Sequence, residues 1–179
     1  MKESRLYIRA AGRLEFIVNL YLGGAKIGAE VGVWKGDFSQ ELFNLIPKVK
    51  LYLIDPWKNI PNYSTMSIKV SDECYEHMYQ MVKALIDNRD VEILRMTSME
   101  ALPYVPDGSL DFVYIDANHK YDYVKADIKG WDKKVKLGGT VSGHDYDFGH
   151  MDVVRAVHEV CPSDVFYYEP AKIWAYVKK

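Results

Sequence analysis

Apolar residues recur along this chain in two alternating rhythms, one of helical spacing and one of short continuous runs. Leu14, Ile17, Val18, Tyr21 and Leu22 fall at helical spacing and predict an amphipathic N-terminal helix. The run KIGAEV, residues 26–31, predicts a first strand that ends at glycine. Phe38, Leu42, Leu45 and Ile46 predict a helix stopped at Pro47. LYLI (51–54), VEIL (91–94) and LDFVYI (110–115) read as buried strands. Cys74, Met78, Met81, Val82 and Leu85 predict one helix between them, and Val124, Ile128, Trp131 and Val135 another after them. Gly138-Gly139 introduces a strand over 140–142, and Val153, Val154, Val157 and Val160 space a last helix. Two closing strands, 165–168 and 173–177, are joined by only Glu169-Pro170-Ala171-Lys172. That is too short for a crossover helix, so these two should pair as an antiparallel hairpin. The alternation as a whole predicts an α/β domain around a largely parallel sheet.

Composition narrows this picture without redirecting it. The chain has 179 residues, 49% of them hydrophobic and 27% charged, with a formal net charge of −2. These figures suit one globular domain and exclude a collagen, a coiled coil or a disordered chain. Near-neutral charge argues against a broad nucleic-acid footprint. Cys74 and Cys161 stand far apart with no zinc spacing, which predicts two reduced, partly buried thiols in a cytoplasmic protein. The first residues carry charges throughout, so no signal peptide is expected, and no apolar run is long enough to span a membrane. The stretch from Trp57 to Asp72 is the one long polar connection, placed where a lid would lie.

Chemistry gathers at the ends of the predicted strands. Glu30-Val31-Gly32-Val33-Trp34-Lys35-Gly36 sets a carboxylate and two glycines between a strand and a helix. This is not the G-x-G-x-x-G of a dinucleotide site, and Glu30 would repel a pyrophosphate but suit an ammonium group. The alternative is a plain tight turn. Asp55 ends the second strand, where a carboxylate can accept two hydrogen bonds from a ribose diol or simply cap the turn before Pro56. Met96-Thr97-Ser98-Met99 follows the third strand, and Asp116 closes the fourth.

With these residues in place, the chain resembles a class I S-adenosylmethionine-dependent methyltransferase from about Lys26 onward. AEVGVWKGDFS is similar to that family's E-x-G-x-x-x-G-x-x-S motif, and LYLIDPW to its acidic second motif. The pattern D-x-x-H-x-Y, then D-I-x-x-W, then G-G-x-x-x-x-H-D resembles the macrocin-type group that acts on sugar hydroxyls. The resemblance implies a Rossmann-like three-layer sandwich with a seven-stranded, mostly parallel sheet whose last strand is antiparallel. It implies a single domain over 1–179, an N-terminal helix in 1–24 and a catalytic core in 25–179. Glu30 and Gly32 would approach the methionine part of S-adenosylmethionine, and Gly36 would shape the loop. Asp55 would hold the ribose, Trp57 would pack on the adenine, Ser98 and Met99 would border the base, and Asp116 would lie beside the methyl group.

Methyl transfer to a hydroxyl also needs a proton acceptor. His119, three residues beyond Asp116, is suited to general-base work and should meet Asp116, His144 and Asp145 at one edge. Its alternative is a loop histidine capping a helix. Asp116 and Asp145 could hold a divalent metal such as Mg²⁺, but His144 and Tyr146 flank Asp145 where metal-dependent relatives supply an oxygen. Histidine there would suit a softer transition metal, and a metal-free site stays open. His77, His150 and His158 show no partner at ligand spacing. The expected function is methyl transfer to a small-molecule acceptor, a sugar or secondary metabolite. The rivals are a nicotinamide-dependent oxidoreductase and a cofactor-binding module without transfer activity. A homo-oligomer is left open. Among the aromatics, Trp34, Trp57, Tyr63, Tyr121, Tyr123 and Tyr146 are expected to border the cofactor edge.

Overall fold

The computed structural model describes residues 2–60 and 70–179, with side chains from residue 12 onward. The elements run α1 (Lys2–Leu22), β1 (Ile27–Val31), α2 (Asp37–Leu45), β2 (Lys50–Ile54), α3 (Asp72–Leu85), β3 (Val91–Leu94) and α4 (Ser98–Ala101). They continue with β4 (Leu110–Ile115), α5 (Tyr121–Asp132), β5 (Val135–Gly143), α6 (Met151–Val160), β6 (Phe166–Tyr168) and β7 (Ile173–Val177). The seven strands form one sheet in the order β3-β2-β1-β4-β5-β7-β6. β1 to β5 pair in parallel, and β7 lies antiparallel between β5 and β6, so the closing hairpin is present. The winding reverses between β1 and β4, and ligands of open α/β sheets bind in the crevice at such a reversal.

Strand residues alternate between two apolar layers. Ala29, Val31, Val113, Ile115 and Val141 face Ile128, Trp131, Val153 and Val157 of α5 and α6. Leu51, Leu53, Phe112 and Tyr114 face Phe16, Ile17 and Leu20 of α1, Leu42 and Phe43 of α2, and Val82 of α3. Each large apolar side chain buried this way contributes about 1.5–3 kcal/mol before entropy is counted.

Four details differ from the sequence reading. In α1 the buried stripe is Phe16, Ile17 and Leu20, while Leu14, Tyr21 and Leu22 face solvent, because α1 meets α2 and the closing hairpin along only one narrow face. In α3 only Val82 is buried; Met81 and Cys74 are exposed, so Cys74 is not the half-buried thiol expected. The segment 135–139 belongs to β5, so Val135, expected in the helix before it, opens the strand, which carries the glycine pair as an irregularity in its pairing with β4 rather than as a turn. Finally, α4 was not anticipated, although Thr97 and Glu100 form a capping box: the Thr97 side chain accepts from the Glu100 amide, and Glu100 accepts from the Thr97 amide at 2.9 Å.

Candidate active site

The loop after β1 is shaped by Gly32, whose φ is +89°. A Cβ there would lie 2.1 Å from the Asp116 carbonyl oxygen, so only glycine lets this loop rest on the start of the β4 loop. Asp55, at the end of β2, ties the same loop down. Its Oδ2 accepts from the amides of Val33 (3.0 Å) and Trp34 (2.9 Å), and its Oδ1 from that of Trp57 (2.7 Å). Burial pushes the Asp55 carboxyl up, and the three amides pull it back. Three of about four acceptor positions are thus in use, leaving one on a residue that lines a cavity.

That cavity measures about 350 Å³ and opens between the β1, β2 and β4 loops. Glu30, Gly32, Asp55, Ser98, Asp116 and His119 all line it, so these expected site residues are brought together. Glu30 is 2% exposed and accepts a hydrogen bond from the Ser39 hydroxyl of α2. Burial holds its carboxyl well above the usual range; the Ser39 bond opposes this, while the charges of Asp116 and Asp55 add to it. A carboxylate destabilised by its surroundings gains most from a ligand cation.

Other expected residues stand elsewhere. Gly36, with φ +85°, caps α2 and packs toward Val82 and Leu85 behind the loop. Trp57 does not border the cavity: its indole is 1% exposed in the core, and its Nε1 donates to the Trp34 carbonyl at 2.7 Å. Packing on an adenine is not available to it there. Met99 lies in the first turn of α4, half exposed and outside the cavity lining. The Ser98 hydroxyl turns inward, donating to Asp127 at 2.5 Å and accepting from Trp131 Nε1 at 2.8 Å. Tyr121 bonds Glu159 of α6, and Tyr146 stacks on Tyr167 with centroids 4.4 Å apart. Neither lines the cavity; Trp34 and Tyr75 do. Tyr63 and most of the expected lid lie outside the described residues. Arg13 of α1 also lines the cavity, paired with Glu41 of α2 at 2.5 Å. Sequence spacing gave no sign of that contact between helices.

Beside the cavity, Asp116 and His119 of its lining meet His144 and Asp145, which lie outside that lining, and the four converge as expected. His119 Nε2 lies 3.1 Å from Asp145 Oδ2 and 3.6 Å from Asp116 Oδ1. His144 Nδ1 lies 3.2 Å from Asp145 Oδ1 and 3.5 Å from Asp116 Oδ2. For both imidazoles burial alone would lower the pKa, but the two carboxylates outweigh it and raise both. Burial pushes Asp145 up, yet the surrounding histidines bring it down to about 2. Asp145 holds φ +57°, a strained setting for a residue other than glycine, at the end of β5. His150 joins the group, with Nδ1 3.6 Å from Asp145 Oδ1 and 2.9 Å from Asp147 Oδ1. The signal for it was GHDYDFGH: the 147–150 turn closes through the His150 amide on the Asp147 carbonyl at 3.0 Å, folding the second histidine back on Asp145. Mg²⁺ prefers an all-oxygen shell. Three imidazoles around two carboxylates do not suit it.

The methyltransferase domain family matches residues 29–146, about two thirds of the chain, and the chain belongs to that family. It is similar to the uncharacterized protein y4gI of Sinorhizobium fredii (strain NBRC 101917 / NGR234), with 27% identity over 123 residues. That match takes in 66% of this chain and 13% of y4gI, so the chain spans only a small part of its curated relative. Among solved structures it resembles the O-methyltransferase TomG from Streptomyces achromogenes, involved in tomaymycin synthesis and solved in complex with SAM. The TM-score is 0.64 and the identity 17%, over 95% of this chain and 80% of TomG. It also resembles CalS11, a TDP-rhamnose 3'-O-methyltransferase of calicheamicin biosynthesis, at TM-score 0.65 and 15% identity, over 92% of this chain and 77% of CalS11. These structural likenesses establish the seven-stranded methyltransferase fold. No described helix is long and apolar enough to cross a membrane.

Proposed function

We propose that this chain transfers a methyl group from S-adenosylmethionine to a hydroxyl of a small molecule, of the sugar or secondary-metabolite kind on which macrocin-type enzymes act. The observation that carries this reading is one cavity lined by Glu30, Gly32 and Asp55 together with Asp116 and His119. CalS11, with the same fold, acts on a sugar hydroxyl, which supports that class of acceptor.

When bound, S-adenosylmethionine supplies a methyl carbon on a sulfonium, whose leaving group departs neutral. Glu30 takes the ammonium of the amino-acid end, and the remaining acceptor position of Asp55 takes a ribose hydroxyl. Gly32 keeps the loop backbone close enough to both. Holding the reacting atoms in line can supply up to roughly 7–11 kcal/mol. His119 accepts the hydroxyl proton, and the adjacent Asp116 and Asp145 stabilise the imidazolium that results. A positioned base of this kind typically contributes about 10²–10⁴-fold.

Calorimetric titration with S-adenosylhomocysteine tests the reading. The intact chain should bind it. Asp55→Asn, which loses the charge and turns an NH₂ against a loop amide from which Asp55 accepts, should weaken binding by at least roughly 10- to 150-fold, the worth of a charge-assisted hydrogen bond. Absence of any binding by the intact chain, or binding of NADH in its place, would overturn it.

A further inference from the structure

Three of the chain's five histidines converge on one carboxylate, Asp145. We infer that His119, Asp145 and His150 form a seat for a divalent transition metal ion. The spacings are the first argument. His119 Nε2 is 3.1 Å from Asp145 Oδ2, and His150 Nδ1 is 3.6 Å from Asp145 Oδ1. Charge-assisted N–H···O bonds close to about 2.7–2.9 Å, shorter than either. Ligand atoms around an ion with bonds of about 2.0–2.1 Å stand roughly 2.9–3.4 Å apart, depending on geometry, a range that holds the His119 spacing and ends just below the His150 one. Ligand atoms of His119, Asp145 and His150 all lie within 4.8 Å of one another.

Donor chemistry is the second argument. Two imidazoles and one carboxylate favour zinc, cobalt, nickel or iron over magnesium. The neighbouring set, Asp116, His144 and Asp145, also lies within 4.8 Å but offers one nitrogen against two oxygens. It is the poorer seat for such an ion. Asp147 Oδ1 lies 2.9 Å from that same nitrogen, His150 Nδ1, so this contact gives way when Nδ1 takes the ion, and Lys172 pairs with the other oxygen of Asp147.

The seat does not rest on the methyl-transfer reading, but it shares one residue with it, His119. An ion held there and proton acceptance by His119 exclude each other, so loading the seat should slow any transfer that uses this base.

The experiment is a titration of the tag-free, chelator-stripped chain with Co²⁺, followed by visible d–d absorption, with Zn²⁺ and Mg²⁺ run in parallel by calorimetry. One Co²⁺ or Zn²⁺ per chain should bind and resist displacement by excess Mg²⁺. Loss of outer-shell partners typically costs 10–100-fold in affinity, so His150→Ala, which removes a direct ligand, should weaken Co²⁺ binding by at least about 100-fold. His144→Ala should weaken it less than about tenfold. His150 lies outside the cavity lining, so S-adenosylhomocysteine binding by His150→Ala reports on its fold; if that variant does not fold, His150→Gln replaces it. No ion bound, Mg²⁺ bound as tightly, or a loss that follows His144 rather than His150 would overturn the seat. A chain that binds S-adenosylhomocysteine but no ion refutes this inference alone; one that binds the ion but no S-adenosylhomocysteine refutes the methyl-transfer reading alone.

Discussion

Glu30 is a carboxyl group that its surroundings make reluctant to ionise, through burial first and the nearby Asp116 and Asp55 second. A ligand ammonium reverses that bias by favouring the charged form. The two statements together require binding to expel a proton whenever free Glu30 is still protonated. Affinity for S-adenosylhomocysteine should therefore rise with pH and level off once free Glu30 has ionised. Calorimetry in two buffers of different ionisation heat should show proton release of up to about one per ligand. Glu30→Gln should abolish that release and weaken binding roughly tenfold or more. Which residues were readable in the sequence follows the same logic of position. Glu30, Asp55 and Asp116 end apolar strand runs, and strand direction alone puts them at one edge. Trp57, Met99 and the Ser98 hydroxyl lie in loops or a helix turn, where direction is set by local backbone. The left-handed conformations of Trp34 and Trp57, φ +55° and +41°, turn the Trp57 indole into the core, and nothing in the spacing announces them.

At the scale of elements, the β1 and β4 loops are locked together at Gly32. Gly32→Ala would place a Cβ 2.1 Å from the Asp116 carbonyl oxygen while holding alanine at φ +89°. Backbone strain of that kind costs about 1–3 kcal/mol by itself, so with the clash the loss should exceed about 2 kcal/mol in urea unfolding. A change under about 0.5 kcal/mol would mean the two loops separate freely. The strands were legible because a sheet covered on both faces needs near-continuous apolar runs, as in LYLI and LDFVYI. Two elements escaped for physical reasons. α4 has only four residues, too few to show a period, and its capping box was the one mark it left. The start of β5 holds a glycine pair that reads as a turn in isolation but is held by Lys178, whose carbonyl accepts from the Gly138 amide and whose amide donates to the Gly139 carbonyl, both at 2.8 Å.

Across the whole molecule, the layers are joined by polar contacts that no periodicity reveals. Asp127 of α5 reaches Ser98 of α4, and its Oδ2 has no hydrogen-bond partner among the described residues. Burial pushes this carboxyl from 3.8 to about 7, against the Ser98 bond. The folded chain then holds a proton that the unfolded chain gives up earlier. The contribution of Asp127 is therefore fully present below about pH 4 and is lost as pH rises to about 7. At about 1.4 kcal/mol per tenfold change, the loss is on the order of 4 kcal/mol. Asp127→Asn should be free of it, so the stability difference between wild type and variant should shrink by that amount between pH 4 and 8, read from urea midpoints. The strand order, too, is a property of the assembled molecule; repetition of strand and helix named the class, the four-residue link 169–172 gave the antiparallel closing hairpin, and the family resemblance supplied the count of seven strands. Four tryptophans are spread through this fold, and Trp57, Trp131 and Trp174 are each 1% exposed or less. Trp34 is half-buried and lines the cavity, so it differs from the other three in being open to whatever enters. The protein thus carries its own optical probe: a ligand filling the cavity should change the emission of one indole in four, and Trp34→Phe should silence that response while the other three keep glowing.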